Sequence, residues 1–229
     1  MLSAASRLLQ SNEIMKIFAI GMNYAAHNRE LHNFVKRPDE PVIFTKADSA
    51  LLTRGKPFFV PDHLGRIDYE AEVVVRICRL GKNIPVCFAH RYYDALTVGI
   101  DFTARDMQRR ASEAGQPWTI CKGFDGSAAI GEWVEKGKLF ADDYIDGELP
   151  GIQRLSFRLD KNGETAQEGN TCDMLYSVDE IIAYISQFFT LKTGDLLYTG
   201  TPAGVGPVAI GDHLEGWLEG RRVLDLNCR

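Results

Sequence analysis

The stretch RIDYEAEVVVR, residues 66–76, places more demands on a fold than any other part of the chain. Polar and apolar residues alternate through it, which is the pattern of a β-strand, and residues i and i+2 of a strand project from one face. Glu70 and Glu72 therefore share a face, and the valines at 73–75 read as core. A carboxylate taken out of water without a partner is costly, so a buried pair either neutralises or holds a cation. Two readings follow. Either the glutamates open a metal site at the mouth of a cavity, or Tyr69 and Ala71 face inward and both glutamates sit on a solvated face.

At 229 residues, with 45% hydrophobic and 25% charged residues, the chain is long enough for one well-developed core. One domain is the default over residues 15–229, with two small ones as the alternative; residues 1–14 lack the apolar core and cleavage region of a secretory signal and read as a short extension with no role in chemistry, a weak organelle-type presequence or a start site called too early being the alternatives. No run is apolar and long enough to cross a bilayer. A net charge of -5 argues against a nucleic-acid or anionic-membrane binder, because phosphate binding draws on clustered Lys and Arg. Cys78, Cys87, Cys121, Cys172 and Cys228 are widely spaced with no C-x-x-C. That pattern reads as reduced, mostly buried thiols of a cytoplasmic protein rather than a disulfide framework or a zinc site.

Strands are expected at 17–21, 41–45, 66–76, 98–101 and 196–199, around 156–159 and Gln167, and as a final pair turning at Glu219 and Gly220. Helices are expected over 88–96 and 104–111, the latter capped by Thr103, with 23–35 as a short helix or a loop that orders on demand and 117–124 as a connector. Ser177 and Glu180 make an S-x-x-E capping box. Ile181, Ile185 and Phe188 then share one helix face, with Phe189 beside them. Many short strands and a few helices spell α+β, with a mixed or antiparallel sheet.

Asp101 closes a short apolar strand and is placed to join the two glutamates, although a lone aspartate there also reads as a turn residue. Three carboxylates with no His or Cys ligand make an all-oxygen site, which favours Mg²⁺, Mn²⁺ or Ca²⁺ over zinc. His27 and Glu30, three apart on a helix, are neighbours, so the carboxylate can orient the imidazole as a general base; an exposed surface pair is the alternative. Arg105 and Gln108 have the same spacing and suit a substrate carboxylate, or form a solvated face. Lys122 is either a cation beside the site or a loop lysine. The loop GTPAGVG, 200–206, lacks the Lys-Ser/Thr of a phosphate loop and no helix follows it. It leaves a backbone that a small ligand can approach, with the Thr201 hydroxyl beside it, or a plain turn.

Six motifs in order, IGMNYAAH (20–27), EPVIFTK (40–46), DYEAEVVV (68–75), GIDFTARDMQ (99–108), GQPWTICKGFD (115–125) and FFTLKTGDLLYTGTPAGVGPV (188–208), resemble the fumarylacetoacetate hydrolase family. The compact length is most similar to its short acylpyruvate hydrolase and oxaloacetate decarboxylase branch. The resemblance implies a mixed β-sandwich or β-roll with a few peripheral helices, and a homodimer. It implies Mg²⁺ or Mn²⁺ on Glu70, Glu72 and Asp101, a lid pair His27 and Glu30, a catalytic Lys122, and Arg105, Gln108 and Thr201 on the substrate side. The substrate it implies is a small 2-oxo acid. The expected reaction is hydrolysis of the carbon-carbon bond of an acylpyruvate, with oxaloacetate decarboxylation at the same site. An isomerase or tautomerase of the family and a metal-stabilised binding protein are the alternatives. Met22 and Ala47 depart from the family pattern near the lid or pocket.

Overall fold

The computed structural model describes residues 15–32, 37–52, 54–140 and 150–229. The expected extension 1–14, residues 33–35 of the segment 23–35 and residues 141–149 lie outside the described residues.

Strand β1 (Ile17–Gly21) passes through Met22 into helix α1 (Ala25–His32). Strand β2 (Val42–Lys46) returns antiparallel to β1, and β3 (Leu51–Leu52) follows. Next come β4 (Ile67–Tyr69), β5 (Ala71–Ile77), α2 (Val86–Ala89) and β6 (Tyr93–Asp101). A crossover holds β7 (Thr103–Ala104), α3 (Arg105–Glu113) and α4 (Thr119–Gly123), then β8 (Ala128–Ile130), β9 (Val134–Glu135) and α5 (Lys136–Leu139). The C-terminal part adds β10 (Ser156–Lys161), β11 (Glu164–Asn170), α6 (Val178–Phe188) and β12 (Leu196–Tyr198). It ends with β13 (Gly206–Pro207), β14 (His213–Leu218) and β15 (Arg221–Asn227).

These strands make an eight-stranded sheet ordered β2-β1-β12-β5-β6-β8-β3 with β9 beside β6, a four-stranded sheet β11-β10-β14-β15, and a three-stranded sheet β13-β4-β7. Because β1 pairs parallel with β12 and β3 with β8, while β5 is antiparallel to its neighbours, the large sheet is mixed. The architecture is the α+β arrangement of curled, mixed sheets that the resemblance implies. Strand β5 is central and covered on both faces, which is why its middle reads as an unbroken valine run. Val73 and Val75 pack with Phe18, Leu96 and Ile181, and Val74 packs with Ala19 and Tyr198 on the other face. The four-stranded sheet lays Leu159, Leu214 and Leu224 against Ala71 and Ile100.

The structure departs from sequence expectation in several places. Helix over 88–96 is reduced to α2, and Tyr93 instead opens a nine-residue β6, because pairing with β5 from Ile77↔Tyr93 onward outweighs the local helical pattern. Thr103 does not cap α3; Ala104 occupies that position with no side-chain bond. The expected connector 117–124 contains α4. Phe188 is 58% exposed, since α6 ends there and Phe189 turns to extended backbone. All five cysteines are free, but only Cys121 and Cys228 are buried, while Cys87 and Cys172 are exposed. Among the described residues no helix is long and apolar enough to cross a membrane.

The capping box forms as read. Ser177 Oγ accepts the Glu180 N–H at 3.2 Å, and the Glu180 carboxylate accepts the Ser177 N–H at 2.7 Å. Burial pushes the Glu180 carboxyl up, but its bonds from Ser177 and Arg37 outweigh that and hold it below its ordinary value. Its contribution is therefore present above about pH 4.3 and is lost as pH falls through the lower folded value. Ser177→Ala is expected to cost about 1 kcal/mol at neutral pH by urea denaturation. The stability gap between wild type and Glu180→Gln should narrow as the pH is taken into the acid range; a gap that stays constant would contradict this account.

Candidate metal and acid–base site

The alternation through 66–76 holds, but the strand breaks at Glu70, so β4 joins the three-stranded sheet and β5 the eight-stranded one. Glu70 sits at the junction with 4% exposure and Glu72 lies in β5 with 1%. A solvated glutamate face is thereby excluded, and Tyr69 and Ala71 are buried as well. The register Ala71↔Ile100 sets Asp101 against Glu70, whose carbonyl accepts the Asp101 N–H at 2.9 Å. One oxygen from each of Glu70, Glu72 and Asp101 lies within 4.8 Å of the others.

Three cations close around these acids. Lys122, in the last turn of α4, places Nζ 2.8 Å from Glu70 Oε2 and 2.8 Å from Asp101 Oδ2, and donates to Thr103 Oγ1 at 2.7 Å. The Thr103 hydroxyl thus serves the site rather than the helix. Lys46, at the end of β2, lies 2.5 Å from Asp101 Oδ1 and donates to the carbonyls of Ser127, at 3.0 Å, and Lys122. Arg105 opens α3 and donates to Glu70 Oε1 at 2.5 Å, Asp68 Oδ2 at 2.8 Å and Gln108 Oε1 at 2.6 Å.

Charge is not shared evenly. Burial would raise the Glu70 carboxyl, but Lys122 and Arg105 outweigh it and hold it below the carboxylate range. Burial pushes Glu72 well above that range, and the neighbouring Asp101 and Glu70 push the same way. Glu72 accepts the Gly200 N–H at 2.6 Å, yet the site's ion pairs all go to Glu70, Asp101 and Asp68. Gly200 reaches it with φ +102, and a Cβ there would lie 2.8 Å from Asn23 Cβ, so only glycine fits. A buried carboxylate that forms no ion pair among the described residues, beside two more hard oxygen donors, fits a divalent cation of the Mg²⁺ or Mn²⁺ kind. His213, Glu215 and Asp225 also cluster, but at the surface and already paired with one another and with Arg222.

Helix α1 lies over the site. His27 is 7% exposed, and burial pushes its imidazole below the usual value, so it is held neutral. Its Nδ1 is 3.6 Å from Glu30 Oε2, an ion-pair spacing longer than a hydrogen bond. Glu30 also accepts the Gly204 N–H at 3.1 Å, which fastens the helix to the glycine-rich loop. Thr201 Oγ1 accepts from Gln167 Nε2 at 2.9 Å, leaving the hydroxyl proton free to donate. Every residue expected at the site, except Glu30, lines one cavity of about 30 Å³.

Sequence reasoning missed four supporting residues. Asp68 was within reach, since it continues the alternation two residues before Glu70. Lys46 gave a weaker signal, a lone lysine ending an apolar strand. Asn23, bonded to Tyr176 and Thr199, and Gln167, which bonds Ala71 and Thr201, gave none, because Tyr176, Thr199 and Ala71 lie about a hundred residues or more away and Thr201 lies in a separate loop.

Known proteins share this fold. The chain is 36% identical over 204 residues to the mitochondrial oxaloacetate tautomerase of Mus musculus, covering 89% of this chain and 87% of that one. The crystal structure of fumarylpyruvate hydrolase from Pseudomonas aeruginosa, in complex with Mn²⁺ and pyruvate, matches with a TM-score of 0.82 at 32% identity, over 96% of this chain and 93% of that one. The 5-carboxymethyl-2-hydroxymuconate delta-isomerase of Mycobacterium smegmatis matches with a TM-score of 0.78 at 30% identity, over 94% and 78%. With residues 16–225 matching the fumarylacetoacetate (FAA) hydrolase C-terminal family, the chain belongs to the fumarylacetoacetate hydrolase family.

Proposed function

We propose that the protein is a divalent-metal-dependent enzyme that cleaves the carbon-carbon bond of acylpyruvate-type 2,4-dioxo acids to pyruvate and a carboxylic acid, and decarboxylates oxaloacetate at the same site. The observation that carries this reading is the buried Glu72, with no ion pair among the described residues, beside Glu70 and Asp101 in one cavity with a neutral His27. Mg²⁺ or Mn²⁺, with Ca²⁺ as a weaker fit, would be held by those three carboxylates and would supply Lewis-acid polarisation of the 2-oxo acid head.

His27 takes a proton from water as the water adds to the distal carbonyl, and Glu30 faces the imidazolium that results. The carbon-carbon bond then breaks, its electrons staying on the pyruvate half as an enolate that is protonated to pyruvate. Lys122 offsets the growing negative charge, and the Thr201 hydroxyl is free to share in this. Arg105 and Gln108 hold the substrate carboxylate. Loss of CO₂ from oxaloacetate gives the same enolate with no attacking water, so that reaction needs the cations but not the base.

A second reading, tautomerisation of oxaloacetate, is supported by the name of the mouse relative. There His27 would move a proton on the carbon next to the oxo group and no bond between carbons would break. Pairing into a homodimer and residence in the cytoplasm belong to the proposal; the family resemblance supports the first and five free thiols the second.

The test is pyruvate release from acetylpyruvate and from oxaloacetate, side by side, with Mg²⁺, with Mn²⁺ and with excess chelator. Turnover that stops with chelator is expected; proton exchange without pyruvate release would favour the tautomerase. His27→Ala should abolish hydrolysis and spare decarboxylation, and equal loss of both would contradict the division of roles. Glu72→Gln should abolish Mn²⁺ binding by calorimetry; unchanged affinity would sink the three-carboxylate site.

A further inference from the structure

The cavity holding Glu70, Glu72 and Asp101, at about 30 Å³, has room for about two water molecules. That is smaller than any 2-oxo acid, so even the head of a substrate enters only once the cavity opens. Directly outside it lies a groove of about 380 Å³, walled by residues 42–45 of β2 and by residues 116–119 leading into α4. Phe44 and Trp118 line both spaces.

The partition between them is one side chain thick. Gly21 belongs to the inner cavity, and a Cβ on it would lie 3.3 Å from Trp118 Cζ3 and 3.6 Å from Val42 Cγ1, which belongs to the groove. Trp118 meets Phe44 edge to face with ring centroids 5.8 Å apart. Its indole Nε1 is tethered by a hydrogen bond to Ser112 Oγ at 3.1 Å, at an exposed position. The Trp118 carbonyl accepts the Lys122 N–H at 2.9 Å, so the partition and the ammonium of the site ride on the same turn.

The two spaces differ in chemistry. Arg105 and Lys122 stand in the inner cavity, whereas no charged side chain among the described residues lines the groove. A carboxylate entering the groove would lose hydration with no cation to replace it, while an apolar chain would gain by leaving water.

We propose that this groove is the subsite for the distal end of the substrate, that the Trp118 indole is the movable partition through which the inner cavity opens into it, and that it takes a neutral, apolar substituent rather than a distal carboxylate. This rests on the reading of the inner cavity as a metal-bound 2-oxo acid site. A carboxylate close to the head, as in oxaloacetate, stays with the cations inside; only longer substrates reach the groove.

The experiment is calorimetry on the full chain with Mn²⁺, using oxalate as a probe of the inner site, straight-chain 2-oxo monoacids of increasing length, and 2-oxo diacids of matched length. Affinity relative to oxalate should rise about three- to fourfold per methylene until the groove is filled, and each long diacid should bind at least about tenfold more weakly than its monoacid. Val42→Glu, at a half-buried edge position, should remove the chain-length dependence, measured against oxalate in the same variant. Long monoacids should change the tryptophan emission of the wild type but not of Trp118→Phe.

Oxalate binding with no dependence on chain length overturns the subsite and leaves the inner site standing. Failure of oxalate to bind removes both. Chain-length dependence that survives Val42→Glu, or diacids that match monoacids, overturns the assignment of the groove. Tight binding of long monoacids with unchanged Trp118 emission overturns the partition.

Discussion

The Lys122 ammonium, held between Glu70 and Asp101, is the interaction on which the rest of the centre depends. Two sheets meet at Glu70, and their junction drives acids into the interior, where each must find a counter-charge. Lys122 and Lys46 neutralise Asp101, while Lys122 and Arg105 neutralise Glu70. Breaking one partner out of such a buried pair generally costs about 3–5 kcal/mol, so the three cations are structural as much as chemical. Among the described residues Glu72 forms no ion pair with any of them.

Much of this was legible in the chain because strands and helices impose short repeats. The i, i+2 spacing of Glu70 and Glu72 gave a shared side, and His27 with Glu30 gave a helix pair, without any knowledge of their neighbours. Ser177 and Glu180 announced a helix start through a motif only four residues long. What stayed hidden were contacts set by pairing across long distances. The segment around Tyr93 has helical character taken alone, and only its ladder with β5 makes it a strand. Thr103 looked like a cap because nothing nearby in sequence shows that Lys122 claims its hydroxyl. Phe188 fits the apolar stripe of α6, but the stripe cannot tell which end residue the core reaches.

Helix α1 also shows how local backbone and chemistry are joined. Met22 links β1 to α1 with φ +61, a left-handed conformation uncommon for a residue other than glycine, and its carbonyl accepts from the Asn28 side chain at 3.0 Å. Asn23, next in sequence, is bonded to Tyr176 and Thr199. The helix carrying His27 thus leaves the sheet from a fixed point, while its far end rests on Gly204 through Glu30. One end is anchored in the core and the other is held by bonds open to solvent, so the side of the helix bearing Glu30 is the side with less to lose on opening.

The parallel pairing of β1 with β12 has a consequence for how the protein comes into being. Ile17 lies beside Leu196, and Lys16 is bonded to Asp195 across 179 positions of the chain. Contacts between such distant segments form only after a large loss of chain entropy, which slows folding. A growing chain therefore carries Glu70, Glu72 and Asp101 long before it has made the strand that walls them in and the Gly200 amide that meets Glu72. Until that last segment leaves the ribosome, the acids lack the wall that β12 and the Gly200 amide supply, and the pocket closes only when segments far apart in the chain pair.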